Sequence, residues 1–256
     1  MSRFWIVNIV FLVLLIVLLV LDANYSISAW WYVALIAPLI ALHTFGSIYL
    51  SMQFFIPAKC QGKPQQAIAI TFDDGPIAGM TEKILAILDK HKVKASFFCI
   101  GHRIAREPEL AKRLHDEGHL IGNHTYWHKA TFDLQSGGSI ARELADTDKA
   151  IVKAVGVKPK FFRPPYGVTN PMVAKGIRSG DYTVIGWSVR SFDTVIKDRA
   201  KLFNRVTRSL KGGDIVLFHD YSESTHDILD DFLNHVSKLG LKVVRVDELL
   251  NEKAYV

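Results

Sequence analysis

AIAITFDDGP, residues Ala67 to Pro76, sets two carboxylates at the end of an apolar run. AIAITF reads as a short buried strand, and Gly75-Pro76 turns the chain immediately after it. Asp73 and Asp74 stand side by side, so each charge raises the cost of the other. Two acids can share such a place if a cation neutralises one of them.

Working outward, short apolar runs alternate with amphipathic stretches from Ala67 onward. The strand candidates are AIAITF, ASFFCIG, HLIGN, FFRPP, YTVIGW, DIVLFH and VVRV. Between them lie helix candidates: TEKILAILDKH, IAREPELAKRLHDEG, SIARELADTDKAIVKAVG, NRVTRSLKG and HDILDDFLNHVSKLG. Repeated βα order predicts an α/β domain built on a parallel sheet or barrel. Periodicity does not decide between an open sheet and a closed one. Polar residues gather at the strand ends. Asp73 and Asp74 follow AIAITF, His124 follows HLIGN, and Arg163 follows FF. Trp187 and Asp193 come at and after the end of YTVIGW, and His219 ends DIVLFH. The carboxyl ends of parallel strands are where α/β barrels and open sheets build their sites.

Composition divides the chain in two. The first 56 residues hold two charged side chains, Arg3 and Asp22, while the remaining 200 carry 30 Lys/Arg and 24 Asp/Glu. A segment of that length buries a full core as one domain. Two cysteines, Cys60 and Cys99, make no disulfide framework, and without a CxxC there is no zinc ribbon. Cys99, in SFFCI, is read as a core residue. The net charge of +6 next to apolar segments suits a position near anionic lipid or an anionic substrate. Neither a basic helix nor an interleaving of arginine with aromatics is present, which argues against a nucleic-acid partner.

Phe4 to Leu21 is an apolar run of 18 residues with no charge in it, about 27 Å as a helix and close to a bilayer core. After the polar turn DANYSIS, a second run extends from Ala29 to Leu50 and opens on Trp30, Trp31 and Tyr32, as an interfacial aromatic belt would. The expected organisation is a transmembrane hairpin over 1–56, a short linker over 57–66 and a catalytic domain over 67–256. A cleaved signal peptide is the rival account of the first run, but its apolar core is long for one. Arg3 before the hairpin, Lys59 and Lys63 after it, and no positive charge in the turn favour the cytoplasmic side of a bacterial-type membrane for the domain.

NHTYWH holds His124 and His128, a spacing that places both rings on one side of a helical turn. With a distant carboxylate, such a pair suits a divalent ion such as Zn2+. At this point the chain resembles a known family. TFDDGP, HLIGNHTYWH, RPPY, WSVRSFDT and IVLFHD match, in order, the five motifs of the polysaccharide deacetylases (carbohydrate esterase family 4), over about Ala67 to Val246. The resemblance implies a distorted (β/α) barrel that removes N-acetyl groups from amino sugars. It implies Asp74, His124 and His128 as metal ligands, Asp73 as general base and His219 as general acid. Arg163 then holds the base, Asp193 orients the acid, Tyr166 offers a backbone N–H to the oxyanion, and Leu217 lines the acetyl pocket, with Trp187 close by.

One motif departs from the family pattern D-x-x-D-W. Arg190 stands at the first aspartate and Thr194 at the tryptophan, while Asp193 is kept. The exchange at 190 moves local charge by two units and points Arg190 at an anionic substrate, such as a glycan carried on a lipid phosphate. Pairing of Arg190 with Asp193 or Asp220 is the plainer alternative. Other readings are an O-acetyl esterase, a deformylase of a lipid-linked amino sugar, or a non-catalytic glycan-binding scaffold. No G-x-S-x-G elbow supports a serine esterase.

Overall fold

The structure is a computed structural model and describes residues 3–256. Among the described residues eight strands pair in parallel in one sheet: β1 (Ala67–Asp73), β2 (Ser96–Cys99), β3 (Leu120–Asn123), β4 (Phe161–Phe162), β5 (Thr183–Val184), β6 (Val189–Arg190), β7 (Ile215–His219) and β8 (Lys242–Val244). Their order is β5-β4-β3-β2-β1-β7-β6. β7 takes one edge of β1, while β8 and then β2 share the other. With helices packed outside, the curled sheet is a distorted (β/α) barrel.

β1 shows why this sequence makes a barrel wall. Every residue of the strand is buried, and alternate residues point to opposite faces. Ile68, Ile70 and Phe72 belong to the outer core with Phe97, Val216 and Phe218, beneath the helices. Ala67 and Ala69, small enough for a crowded interior, pack with Phe98, Phe161 and Ile185. Thr71 and Asp73 continue that inner face upward to the rim.

The helices largely follow the amphipathic stretches: α3 (Thr81–Lys90), α6 (Gly137–Val155), α7 (Pro171–Arg178), α8 (Arg199–Thr207), α9 (Glu223–Lys238) and α10 (Val246–Leu250). One predicted helix is two. IAREPELAKRLHDEG is split into α4 (Gly101–Arg106) and α5 (Pro108–Asp116). Pro108 restricts the residue before it, and Glu107 leaves the helical region (φ −124°, ψ 58°).

Ahead of the barrel, α1 (Arg3–Tyr25) and α2 (Trp30–Ile48) are apolar helices with mean hydropathies of 3.2 and 1.6 over 18-residue windows. Both are long and apolar enough to cross a membrane. They fold back on each other around a turn in which Tyr32 Oη and the Ile27 N–H donate to Asp22. Beyond α2 the chain enters the barrel wall. Phe54, Phe55, Ile56 and Ala58 are buried with Phe132, Ile140, Phe162 and Val173. The stretch read as a linker is hydrogen-bonded into the sheet: Lys59 N donates to Val184 O at 2.8 Å, Gly186 N to Lys59 O at 2.9 Å, and Gly62 N to Gly213 O at 2.8 Å.

Candidate active site

The strand ends meet in a cleft of about 230 Å³, lined among others by Asp73, Asp74, His124, His128, Tyr166 and His219. Adjacent strand residues normally face opposite ways. Asp74 breaks that rule by taking a left-handed φ of 76°, and both carboxylates turn into one cleft. Its backbone is pinned there, with Asp74 N donating to Phe98 O at 3.1 Å and Arg103 Nη1 donating to Asp74 O at 2.6 Å. Gly75 has to follow, because a Cβ at that position would lie 1.9 Å from Asp220 Oδ2. Thr125, His128, Tyr166 and Phe192 are also left-handed. Each such residue stores on the order of 1–3 kcal/mol of strain, and strain of this kind gathers at working sites.

Asp74, His124 and His128 come together as one cluster, their ligating atoms all within 4.8 Å of one another. Asp74 Oδ1 is 3.4 Å from His124 Nε2 and 3.3 Å from His128 Nε2. The two histidines sit on a loop after β3 and not on a helical turn as their spacing suggested. Thr125 makes the bend, with its N–H on Asn123 Oδ1 (2.9 Å) and its hydroxyl accepting from His128 N (3.1 Å). His124 Nδ1 is 2.7 Å from Arg163 O; it carries the proton there, which leaves the Nε2 lone pair facing Asp74. Burial and the neighbouring His124 hold His128 down at about 4, so its ring is neutral and able to ligate. Burial pushes the Asp74 carboxyl up, but positive charge on the surrounding imidazoles, His219 among them, holds it below its ordinary value; with His124 and His128 neutral, a bound cation would supply that charge. Asp74 Oδ1 is buried with no hydrogen-bond donor, the kind of orphan that a bound cation satisfies. Two neutral imidazoles and one carboxylate fit a divalent metal with open positions.

Asp73 faces the same cleft from the other side of the cluster. Arg163, fully buried, donates from Nη1 to Asp73 Oδ1 (2.7 Å) and Thr71 Oγ1 (2.9 Å), the two polar residues on the inner face of β1. Its other nitrogens bind Ile185 O and Gly186 O, and Phe98 lies under its plane at 4.1 Å. Opposite stands His219, whose Nδ1 is 2.8 Å from Asp193 Oδ1. Burial disfavours the imidazolium, but Asp193, together with Asp73 and Asp74, raises the His219 pKa above its ordinary value. Asp193 is itself fully buried and accepts also from His219 N, Ser191 Oγ and Thr225 Oγ1. Arg163 and Asp193 thus stand behind the cleft, while Trp187, Arg190 and Leu217 line it. Tyr166, half exposed, packs its ring 4.9 Å from His128.

Arg190 lies on aromatic rings and not on Asp193 or Asp220: its guanidinium is 5.4 Å from the Trp187 ring centroid and 4.7 Å from that of Phe192. Arg205 covers Phe192 at 4.3 Å and donates from Nε to Arg190 O. Sequence reasoning missed Phe192, Arg205, Tyr221, Thr225 and Arg103. Tyr221, two residues past His219, was within reach of the motif; Arg205 sits on α8 with nothing local to mark it.

A family model described as polysaccharide deacetylase matches residues 61–185. The Bacillus subtilis peptidoglycan-N-acetylmuramic acid deacetylase PdaA is 33% identical over 193 residues, covering 74% of this chain and 73% of its own. The chain belongs to the polysaccharide deacetylase family. Another relative is the Listeria monocytogenes peptidoglycan-N-acetylglucosamine deacetylase PgdA, 35% identical over 205 residues, 80% of this chain. This chain spans only 43% of the Listeria deacetylase's length. Among solved deacetylase structures, the Bc1960 peptidoglycan N-acetylglucosamine deacetylase superposes with a TM-score of 0.72 at 28% identity, over 76% of this chain and 93% of its own. Deacetylases of this family are metal-dependent in general, and the Asp-His-His cluster is a set of residues that could hold an ion.

Proposed function

We propose that the protein is a metal-dependent hydrolase that removes N-acetyl groups from amino sugars of a peptidoglycan-type or lipid-linked glycan. The observation that carries this reading is the pair of buried dyads, Asp73–Arg163 and His219–Asp193, flanking the three-ligand cluster in one cleft. Asp74, His124 and His128 would hold the ion, with Zn2+ expected from the donor set. When bound, the ion supplies Lewis-acid polarisation and activation of water. Asp73 takes the proton of the attacking water; Arg163 binds one of its oxygens and leaves Oδ2 toward the cleft. Asp193 holds Nδ1–H of His219, so Nε2–H is the proton given to the leaving amine. The backbone N–H of Tyr166 serves the oxyanion. Leu217 and Trp187 form the wall against the acetyl methyl.

Arg190 supports a preference for an anionic amino sugar. Its guanidinium is half-buried in the cleft wall and stacked on two rings, a preorganised site for a carboxylate or phosphate. The name of the muramic acid deacetylase relative fits that preference. The two apolar helices support attachment to a membrane, and Arg3, Lys59 and Lys63 favour the cytoplasmic side for the catalytic domain.

The test is acetate release by the purified full chain, with and without Zn2+, from N-acetylated glucosamine oligomers, peptidoglycan fragments and polyprenyl-phosphate amino sugars. Asp74→Ala should lose bound metal and activity together, whereas Asp73→Asn should keep metal and lose turnover. Equal metal loss in both variants refutes the division of roles. No acetate or formate from any substrate refutes the hydrolase.

A further inference from the structure

The hairpin is fastened to the same rim that carries the cleft. Ser47, in the last turn of α2, makes two hydrogen bonds to the loop after β4: its hydroxyl donates to Thr169 O (2.6 Å), and Thr169 N donates to Ser47 O (3.0 Å). Thr169 is three residues beyond Tyr166, about 10 Å of chain. The adjoining loop after β3 is tied in as well, since Asn170 Nδ2 donates to Asp133 O. Phe4, His43, Phe54 and Phe55 pack edge to face at the near end of the helices, and Phe4 N donates to Phe54 O. Orientation of the barrel relative to the helices is therefore fixed by contacts and not left to a slack tether.

The bilayer then sets the height of the rim. Trp30 and Trp31 are exposed at the far end of α2, and Phe45 and Tyr49 are exposed and stacked at its near end. Aromatic rings at both ends mark two interfaces. Ser47 is 17 residues from Trp30 along the helix, about 26 Å at 1.5 Å per residue, against a hydrocarbon core of about 30 Å. The Thr169 loop is thus held at the edge of the hydrocarbon. Leu134, on the loop after β3, is 78% exposed, and Met172, in the first turn of α7 just past Asn170, is exposed too. Lys129 and Lys175, both exposed, stand near them in the chain.

We propose that the loops after β3 and β4, together with the first turn of α7, dock against the lipid headgroup layer beside α2, Leu134 and Met172 entering it, so that the deacetylase cleft opens at the bilayer surface. The occupant of this apolar rim is the bilayer itself, because the rim is continuous with the hairpin. The proposal rests on the reading of α1 and α2 as membrane-spanning. It also gives that reading a consequence: the glycan is taken from a carrier in the same membrane before it is far from the surface.

The experiment places an environment-sensitive fluorophore on single cysteines in the full chain, in a Cys60→Ser background that keeps the fully buried Cys99. The labelled variants are Leu134→Cys, Met172→Cys, Leu14→Cys in α1, and Lys238→Cys at the opposite end of the barrel. Each is reconstituted in phosphatidylethanolamine–phosphatidylglycerol vesicles with and without a doxyl-labelled phospholipid. Labels at 134 and 172 should shift to the blue and be quenched by the doxyl lipid severalfold more than the label at 238. Quenching at 14 but not at 134 or 172 overturns the proposal and leaves the hairpin in the membrane. A blue shift at 134 and 172 without lipid quenching means a protein partner covers the rim, which also overturns it. No quenching at 14 refutes the membrane reading together with everything built on it.

Discussion

Asp193→Asn isolates the acid half of the site, because Asp193 is not among the cluster of candidate metal ligands. The carboxylate holds His219 Nδ1 at 2.8 Å with no solvent around it. Burial works against the imidazolium, but a carboxylate that close outweighs it and raises the His219 pKa. The amide removes that charge and leaves the burial, so the basic limb of the pH–rate profile should move to lower pH. A second cost follows from the hydrogen-bond count. Asp193 Oδ2 accepts from both His219 N and Thr225 Oγ1. If the substituted amide keeps its oxygen on Nδ1–H, its NH2 meets those two donors. The Thr225 hydroxyl can turn away but the backbone N–H cannot, so one buried donor is orphaned at about 1–3 kcal/mol. The assay is acetate release from a soluble N-acetylglucosamine oligomer across pH, with bound metal measured on the same sample and a thermal melt beside it. Metal should be unchanged, the melting point lower and the basic limb displaced. An unmoved basic limb at near-native rate would show that another group protonates the leaving amine.

Arg163→Met should cost about 3–5 kcal/mol of stability by leaving Asp73 unpaired, and Arg163→Lys should also lose stability and turnover despite keeping the charge. One ammonium cannot reach Asp73, Thr71, Ile185 O and Gly186 O together; a lysine variant with native melting temperature and kcat contradicts this. Arg190→Asp should raise KM for an anionic amino sugar far more than for a neutral oligomer, and an equal loss on both makes Arg190 a structural residue. His119 is buried, accepts from Ala95 N at 3.0 Å, and is lowered to about 4, first by burial and then by Lys94 and Arg245. A histidine depressed on folding takes up its proton in the unfolded chain first, so stability should fall as pH drops from about 6.5 to about 4. His119→Asn should flatten that slope in denaturant titrations, and an unchanged slope removes His119 as its source.

Local signals explain what the sequence disclosed. β1 was legible because its apolar run is short, wholly buried and ended by a turn, and the residues that line the cleft fall at the ends of similar runs. The His124–His128 pair was legible as a pair but not as a shape. Helical spacing and a left-handed loop both bring the fourth residue back to the first, and only the Thr125 and Asn123 hydrogen bonds say which one the chain takes. Residues 57–66 gave no sign of joining the sheet, because their pairing uses backbone groups that any side chain would allow. The FFIP stretch read as the tail of the membrane segment, since apolar content cannot distinguish lipid from a protein core; Phe54, Phe55 and Ile56 chose the barrel.

Arg190 shows where reading from one position stops. As a lone replacement of an acid by a base it could as well have paired with Asp193. In the structure Asp193 is already filled by four donors, His219 contributing two of them. The guanidinium instead takes the faces of Trp187 and Phe192, and Arg205 also lies over Phe192. Arg205 places a second cation by the same ring, and its like charge works against the Arg190 guanidinium. That cost is offset if an anion arrives at the cleft, which Arg190 lines. That arrangement needs α8 to lie against β6, a contact no short motif encodes.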